Sequence, residues 1–519
     1  MRRLLRRAGI ALLALLLLAA AAFTAGVLYP DEALRIEGAP AEVAFLHGSI
    51  VNPRDGSVLR DATLVVSGRK ITALGAHGTV ALPPGVRQVD ARGKFLIPGL
   101  WDMHIHSWFG MSDYLHYPLY IANGITSVRD MGGCLDQEAP FFACDASKRT
   151  WSARAEAGQA VGPRIVASGS FPIDAQNRMS DGFPAYLAPA SAADARALVA
   201  HAQASKWDFI KLYNNLPRDA YFALMDEARR RGVAVAGHLP ASIGAVEAAR
   251  AGQKSIEHAA LFPLECSSTA AAQHLQQPRP RGAALLREIL PAYSEPLCRE
   301  VFDVMARSGT WFTPTHVTRR YEANAANPNF LDDPRLAYIN HAWRFVWKLD
   351  AKRMRKELQQ PGAQADYTAF YRKGLELTGR AHQAGVAVLA GSDAPDAYIF
   401  PGFSLHDELQ ELVAAGLTPA QALRAATFDA ARFAGQEARY GTLEAGKAAD
   451  IVVLEANPLD DIAHTRRIHA VMFNGYLYQQ PQLERMHAFV RGKAASFAVT
   501  CKAIWSLLRS REFRNMFAD

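Results

Sequence analysis

The chain has 519 residues, with 57 Lys and Arg against 50 Asp and Glu and a formal net charge of +7. That length is well beyond the ~250 residues of a minimal α/β barrel, so a barrel here must carry insertions and a further domain. The positive charge collects at the two termini, and no phosphate-binding glycine loop or aromatic-basic nucleic-acid motif is present, which argues for contact with anionic lipid and against nucleic acid.

In chain order, Arg2, Arg3, Arg6 and Arg7 precede a mostly apolar stretch from Ile10 to Leu28. The stretch is long enough to span a membrane and also suits a secretory signal. Small residues from Ala19 to Gly26 lack a clean Ala-x-Ala end, since Phe23 and Thr24 interrupt them. Residues 1–34 therefore read as an anchor or signal segment, an uncleaved anchor being preferred. The arginines would stay in the cytoplasm and the rest would face the periplasm, placing the protein in a bacterial cell envelope, anchored or secreted. From Ala41 to Asp90 apolar and polar residues alternate around turn signals such as Asn52-Pro-Arg-Asp-Gly, which predicts β-strands.

Phe95-Leu-Ile-Pro-Gly-Leu-Trp-Asp-Met-His-Ile-His106 is an apolar strand ending in His-x-His. Alternate strand residues face one way, so His104 and His106 stand about 7 Å apart on one face and can converge on one metal ion. Two such histidines are equally compatible with buried hydrogen-bonding residues, and further ligands must decide. Short β-rich runs closing in polar or glycine residues follow at Thr126-Ser-Val-Arg-Asp-Met-Gly, Arg164-Ile-Val-Ala-Ser-Gly, Phe209-Ile-Lys-Leu-Tyr, Val233-Ala-Val-Ala-Gly-His, Ser255-Ile-Glu-His, Trp311-Phe-Thr-Pro-Thr-His and Val386-Ala-Val-Leu-Ala-Gly-Ser-Asp. With the first strand these make eight. Stretches of helical periodicity, such as Ser191 to Ser205, Pro217 to Arg231 and Phe403 to Ala415, separate them. The alternation predicts a (β/α)8 barrel, whose chemistry sits at the C-terminal strand ends, and there His104, His106, Lys211, His238, His258 and Asp393 all fall.

An ammonium at Lys211 beside metal cations would be both repelled and desolvated, so it should not stay cationic; a structural lysine paired with Glu257 is the alternative. For Asp393 the alternative is a helix N-cap. Tyr213 shares the strand face of Lys211 and is a candidate ligand for a substrate carboxylate or transition-state oxygen. His316, closing the seventh strand, is a candidate substrate or oxyanion contact, with a packed polar residue as its alternative. His406 opens the last barrel helix within reach of the mouth, and Arg129 has either a carboxylate partner or a loop salt bridge. The insertions from about Phe262 to Gly385 are polar, proline-containing and helical, and are expected to form a lid. Nitrogen and oxygen ligands without cysteine suit Zn²⁺, with Mn²⁺, Co²⁺ or Fe²⁺ as substitutes.

This set resembles the amidohydrolase superfamily, whose pattern is His-x-His after strand 1, Lys after strand 4, His after strands 5 and 6, and Asp after strand 8. The resemblance runs from about Val43 to Tyr478, including Leu405-His-Asp-Glu-Leu-Gln-Glu-Leu and Gly441-Thr-Leu-Glu-Ala-Gly-Lys-Ala-Ala-Asp-Ile-Val-Val-Leu. Within the superfamily the chain is most similar to the imidazolonepropionase-like hydrolases and the metal-dependent prolidases and carboxypeptidases acting on dipeptides and N-acyl amino acids. The resemblance implies an α/β protein with a (β/α)8 TIM barrel at 99–440 and a small composite β-sandwich from 41–98 and 441–478, leaving 479–519 as a basic amphipathic tail. It implies two divalent ions, Zn²⁺ by preference: His104, His106 and Asp393 on the first, His238 and His258 on the second, with Lys211 carboxylated by CO₂ as the bridge. The expected reaction is hydrolysis of the amide C–N bond of a dipeptide or N-acyl amino acid by a metal-activated hydroxide, with Asp393 as general base. A mononuclear cyclic-amide hydrolase or deaminase is the alternative. A catalytically inactive scaffold is a further one, against which speaks the retention of six polar groups that are costly to bury. The expected partners are a small amide or dipeptide and a membrane, with homo-oligomerisation left open.

Cys134 and Cys144 flank a short loop after the second strand, and Cys266 and Cys298 bracket part of the insertion. Two local disulfides are the simplest of three pairings, and they fit an oxidising compartment. Cys501 is left over, in a tail where Phe497, Cys501, Ile504 and Leu508 recur at helical spacing among Lys502, Arg509, Arg511 and Arg514. Docking on the protein and lying on a membrane surface are both open for this helix.

Overall fold

A computed structural model describes residues 2–36, 38–135, 141–178, 185–269 and 281–510; Arg511 and Arg514 of the tail lie outside them, as does the part of the insertion from 270 to 280. The helix Arg2–Leu28 is long and apolar enough to cross a membrane, and only 6% of its apolar window is buried against the protein. Strands β1 (Glu42–Val51), β2 (Val58–Ser67), β3 (Lys70–Ala76), β4 (Arg87–Asp90) and β5 (Phe95–Pro98) follow. Next come β6 (Leu100–Ile105), β7 (Ile125–Asp130), β8 (Arg164–Ser168), β9 (Phe209–Leu212), β10 (Ala234–Gly237), β11 (Ser255–Glu257) and β12 (Trp311–Thr313), with helices between them. Strands β13 (Ile451–Leu454), β14 (Ile468–Phe473) and β15 (Tyr476–Gln479) come last.

One mixed sheet joins the two ends of the chain in the order β15-β14-β13-β5-β1-β2-β3, with β4 beside β1. β13 runs antiparallel to β5, Ile451 opposite Pro98 and Leu454 opposite Phe95. Their alternating side chains serve two cores. Leu96, Ile451 and Val453 enter the cluster with Phe45 and Leu64, while Ile97, Val452 and Leu454 enter the one with Val128 and Leu409. Burial on both faces explains why β13 reads as an unbroken apolar run.

The single strand expected from Phe95 to His106 is in fact two, β5 in the mixed sheet and β6 in a parallel array. The break falls at Gly99, where a Cβ would lie 2.1 Å from Thr126 Oγ1, so glycine alone lets the backbone cross there. β6, β7 and β8 pair in parallel, as do β9 to β12. Single parallel bridges connect Gly169 with Phe209, Phe312 with Val388, and Ile105 with Ala394. The segment Val386 to Asp393, expected as an eighth strand, carries isolated bridges rather than a regular ladder. Its backbone still bonds both neighbours, Leu389 N to Phe312 O and Asp393 N to His104 O. Two local features interrupt the ladder. Gly391 packs so closely on β6 that a Cβ would lie 2.8 Å from that of His104, and Asp393 has a left-handed backbone with φ 66°.

The helices Ala192–Ala204, Arg218–Arg231 and Ser404–Ala414 fall where periodicity placed them, the first capped by Ser191 and Asp194 in a reciprocal box. The insertion supplies the helices His316–Asn324, His341–Leu358 and Ala363–Gln383. Cys134–Cys144 and Cys266–Cys298 are disulfides, and Cys501 is free and buried. The tail helix Phe497–Arg509 docks on the protein through Val499, Cys501, Ala503 and Leu507, so the docking alternative describes its inner face. Phe497, Trp505 and Leu508 stay exposed on the outside.

Candidate metal centre

Six side chains from five neighbouring backbone segments meet at the C-terminal ends of the parallel strands. His104 is the penultimate residue of β6 and His106 follows the strand; Lys211 lies within β9; His238 and His258 follow β10 and β11; Asp393 closes the segment after Val388. Asp393 Oδ1 stands 3.0 Å from His106 Nε2 and 3.2 Å from His104 Nε2. His258 Nε2 lies 2.8 Å from His238 Nε2. Both His258 (φ 76°) and Asp393 (φ 66°) hold left-handed backbones, a cost of about 1–3 kcal/mol each that such residues bear mainly where function requires it.

Oxygens around the rim engage Nδ1 of three rings, leaving each Nε2 turned inward. His104 Nδ1 donates to Glu257 Oε2 at 3.0 Å and His238 Nδ1 to Asn214 Oδ1 at 2.7 Å, while His258 Nδ1 pairs with the Thr315 hydroxyl at 2.9 Å, which can accept or donate. An Nδ1–H given to Glu257 or to Asn214 leaves Nε2 of His104 and of His238 as a bare lone pair directed at the centre. His258 Nε2 stands 2.8 Å from His238 Nε2, either donating its N–H to that lone pair or, in the other tautomer, joining it around a cation. His104 Nε2 and Lys211 Nζ are enclosed without a hydrogen-bond partner among the described residues. The donor set therefore fits divalent metal, and His104, His258 and Asp393 offer ligand atoms all within 4.8 Å of one another.

Electrostatics favour the forms a metal needs. Burial, with His258 and Lys211 adding to it, holds His238 well below the usual imidazole range. Burial likewise holds His258 low, against the pull of Asp393. The Asp393 carboxyl is pushed up by burial, but the imidazoles of His104, His106 and His258 outweigh this and hold it well below the ordinary carboxylate range. Burial brings Lys211 down to about 8, with Glu257 and Asp393 pulling the other way. An amine near that value is partly neutral at pH 7.

Beneath the ligands lies a buried layer, only fragments of which are legible in the chain. Arg129 reaches both Glu257 oxygens at 3.0 Å, Ser255 Oγ at 2.9 Å and Met103 O at 2.6 Å. Of the two alternatives for Arg129, the structure has a carboxylate partner, Glu257, in place of a loop salt bridge, and that carboxylate also accepts from His104, not from Lys211. Asp102 accepts from Ser392 Oγ and Ser392 N, tying β6 to the segment that carries Asp393. Asn214 and Thr315 escaped sequence reading, although each lies close to a candidate residue, beside Tyr213 and His316.

The weaker candidates divide. The Tyr213 ring packs on that of His238, with centroids 4.4 Å apart, and the residue is 40% exposed to the mouth. His316 is fully enclosed, its Nε2 on Thr378 Oγ1 at 3.0 Å, and it does not line the cavity: it starts a helix and turns away from the mouth. His406 is also buried elsewhere, between Thr465 Oγ1 and Asn123 O. Above the ligands opens a cavity of about 550 Å³, bounded by Trp108, Phe141 and Phe142 on one side and by Arg319, Glu322 and Asp350 on another.

The Amidohydrolase family matches residues 95–477. Ochratoxinase of Aspergillus niger is 24% identical over 505 residues, covering 85% of this chain and 88% of its own. Among solved structures, bottromycin amidohydrolase superposes with a TM-score of 0.67 at 20% identity, over 91% of this chain and 93% of its own. A Xaa-Pro dipeptidase with bound methionine gives 0.60 at 18% identity, over 85% of this chain and all of its own.

Proposed function

Because this chain belongs to the amidohydrolase family and is a hydrolase of carbon–nitrogen bonds, we propose that it is a metal-dependent enzyme cleaving the amide bond of dipeptides or N-acyl amino acids. One observation carries the reading: three imidazoles, each held through Nδ1 on an oxygen, turn their Nε2 atoms inward beside Asp393 and an enclosed, unpartnered Lys211. His104, His106 and Asp393 would hold one divalent ion and His238 and His258 a second, with carboxylated Lys211 between them. When bound, such ions supply a water acidified towards neutral pH and polarise the scissile carbonyl.

The protein's own residues carry the rest. Asp393, ionised at neutral pH, accepts the proton of the attacking water and returns it to the leaving nitrogen. Glu257 and Arg129 hold His104 in one tautomer and orientation. Tyr213, over His238, offers its hydroxyl to a substrate oxygen. Phe142, packed on His106 at 5.4 Å, limits water on that flank. The parallel pairings and the bridges at Val388 and Ala394 support a (β/α)8 barrel at 99–440. The sheet from both chain ends supports a separate small β-domain from 41–98 and 441–478. The exposed apolar helix Arg2–Leu28 supports an anchor or signal, with the enzyme facing the periplasm.

The test is elemental analysis of the purified protein together with hydrolysis of a dipeptide and N-acyl amino acid library, before and after chelation. Two equivalents of metal and chelator-sensitive turnover are expected. Asp393→Asn should keep the fold and lower turnover by at least ~10². Full activity of metal-free protein would overturn the reading. One observation favours a mononuclear enzyme instead: His104, His258 and Asp393 alone form a compact trio of donors. A single equivalent of metal with an unmodified Lys211 would select that alternative.

A further inference from the structure

The cavity above the ligands has two unlike walls. Trp108, Phe141 and Phe142 form an aromatic one, with ring centroids 5.6 Å apart for Trp108 and Phe141 and 4.9 Å for Phe141 and Phe142. The other comes from the helices His316–Asn324 and His341–Leu358 and carries Arg319, Glu322, Asp350 and Arg353. Most of its charges are already matched. Asp350 accepts from Tyr321 Oη and from Arg353 Nη2, both at 2.7 Å. Arg319 gives Nη1 to Glu322 Oε2 at 2.7 Å, its one hydrogen bond among the described residues. Its Nε is enclosed with no partner there, as is the indole Nε1 of Trp108 across the cavity.

We propose that this site selects amides whose amino-acid half bears a free carboxylate, taken by the Nε and Nη2 edge of Arg319, with an aryl group of the substrate against Trp108, Phe141 and Phe142. The inference rests on the amide-hydrolase reading and names its substrate class. An arginine edge presents two parallel N–H donors at the spacing of carboxylate oxygens. The pair with Glu322, one helix turn away, engages Nη1, which leaves the Nε and Nη2 edge of Arg319 for a substrate. Arg319 lines the same cavity as His258 and Asp393, the centre where the amide is cut. In an N-acyl amino acid the carboxylate is separated from the scissile nitrogen by a single carbon. The volume of about 550 Å³ accommodates both an aryl acyl group and an aromatic side chain.

The test compares N-benzoyl-L-phenylalanine with N-benzoyl-L-phenylalaninol as substrates of the metal-loaded enzyme. A binding arm uses the uncleavable amines N-benzyl-L-phenylalanine and N-benzyl-L-phenylalaninol. The parent should prefer the acid in both arms by ~10–100-fold, the range for a hydrogen bond to a charged group. Arg319→Met should lose that preference, falling on the acid while moving less than threefold on the alcohol, and Arg319→Lys should restore part of it. Exchange of benzoyl for acetyl should cost the parent at least tenfold, and Phe142→Leu should shrink that difference. Thermal melts check each fold, and Arg319→Gln stands in should the methionine variant fail to fold. Equal loss on acid and alcohol, or no preference in the parent, overturns the assignment. Binding preference without turnover of any amide would instead overturn the hydrolase reading and leave the carboxylate site standing.

Discussion

Glu257→Gln removes a charge on which two features of the site depend. In the parent, Oε2 accepts from His104 Nδ1 and Arg129, while Oε1 accepts from Arg129 and Ser255 Oγ, every group in this set being buried. Burial would raise this carboxyl, but Arg129 and His104 hold it far below the ordinary range, so the parent carries a full anion there. A glutamine of the same shape must place its NH₂ where one of those donors arrives, whichever way the amide is turned. Arg129, which reached both carboxylate oxygens, then keeps a single neutral amide oxygen beside Met103 O, Ser255 Oγ and Thr313 Oγ1 and is a buried cation without its counter-anion. Breaking a buried pair from one side costs about 3–5 kcal/mol. Losing the oxygen that orients a ligating imidazole costs about 10–100-fold in metal affinity. Urea denaturation of metal-free protein reads the first effect, and competition with a chelating dye reads the second. Ser255→Ala, which deletes a hydroxyl bonded to both Arg129 and Glu257 but keeps the ion pair, should cost less, about 1.5–3 kcal/mol. A Glu257→Gln protein with parental denaturation midpoint and parental metal affinity would refute the view that this layer holds His104 in place.

Burial pushes His316 down to about 3 and His116 and His406 each to about 4, so all three are neutral in the folded protein at pH 5. In the unfolded chain they take up protons below ~6.5, so the stability they allow is complete above that pH and is lost on acidification, by about 2 kcal/mol each between pH 6.5 and 5. Melting temperatures from pH 8 to 4.5 should be level at first and then drop steeply; a curve still level at pH 5 would contradict this. The protein should fractionate with membranes and retain Arg2–Leu28, whose Gly26 packs against Cys501 and which is followed by Asp31, paired with Lys493 and Lys502. Peptide sequencing that finds a mature terminus near Ala25 or Gly26 would make the helix a cleaved signal.

How much of this was legible from the chain depends on how local each signal is. The six candidate ligands could be named because each lies in the last residues of a short apolar run or just after it, and strand ends on one side of a parallel array must face one mouth. The split at Gly99 was not legible, since it follows from the approach of Thr126, a contact between segments that no periodicity records. The eighth segment kept its neighbours but lost its regular ladder for a similar reason, the close packing of Gly391 on His104. His316 shows the limit most clearly. Ending a predicted strand run, it was expected at the mouth, yet Thr315 takes a left-handed φ of 48°, which starts a helix there and carries the imidazole to Thr378, leaving the Thr315 hydroxyl to anchor His258. A single backbone reversal thus exchanged the roles of two adjacent residues. Glu257 was hidden differently: read as an alternative partner for Lys211, it proves to share its strand face with Ser255, two residues before it, and both meet Arg129 from another strand. Sequence identifies groups able to ligate; which oxygen fixes each of them is decided by strands far apart in the chain, and that is where mutation should separate a working centre from a mere collection of histidines.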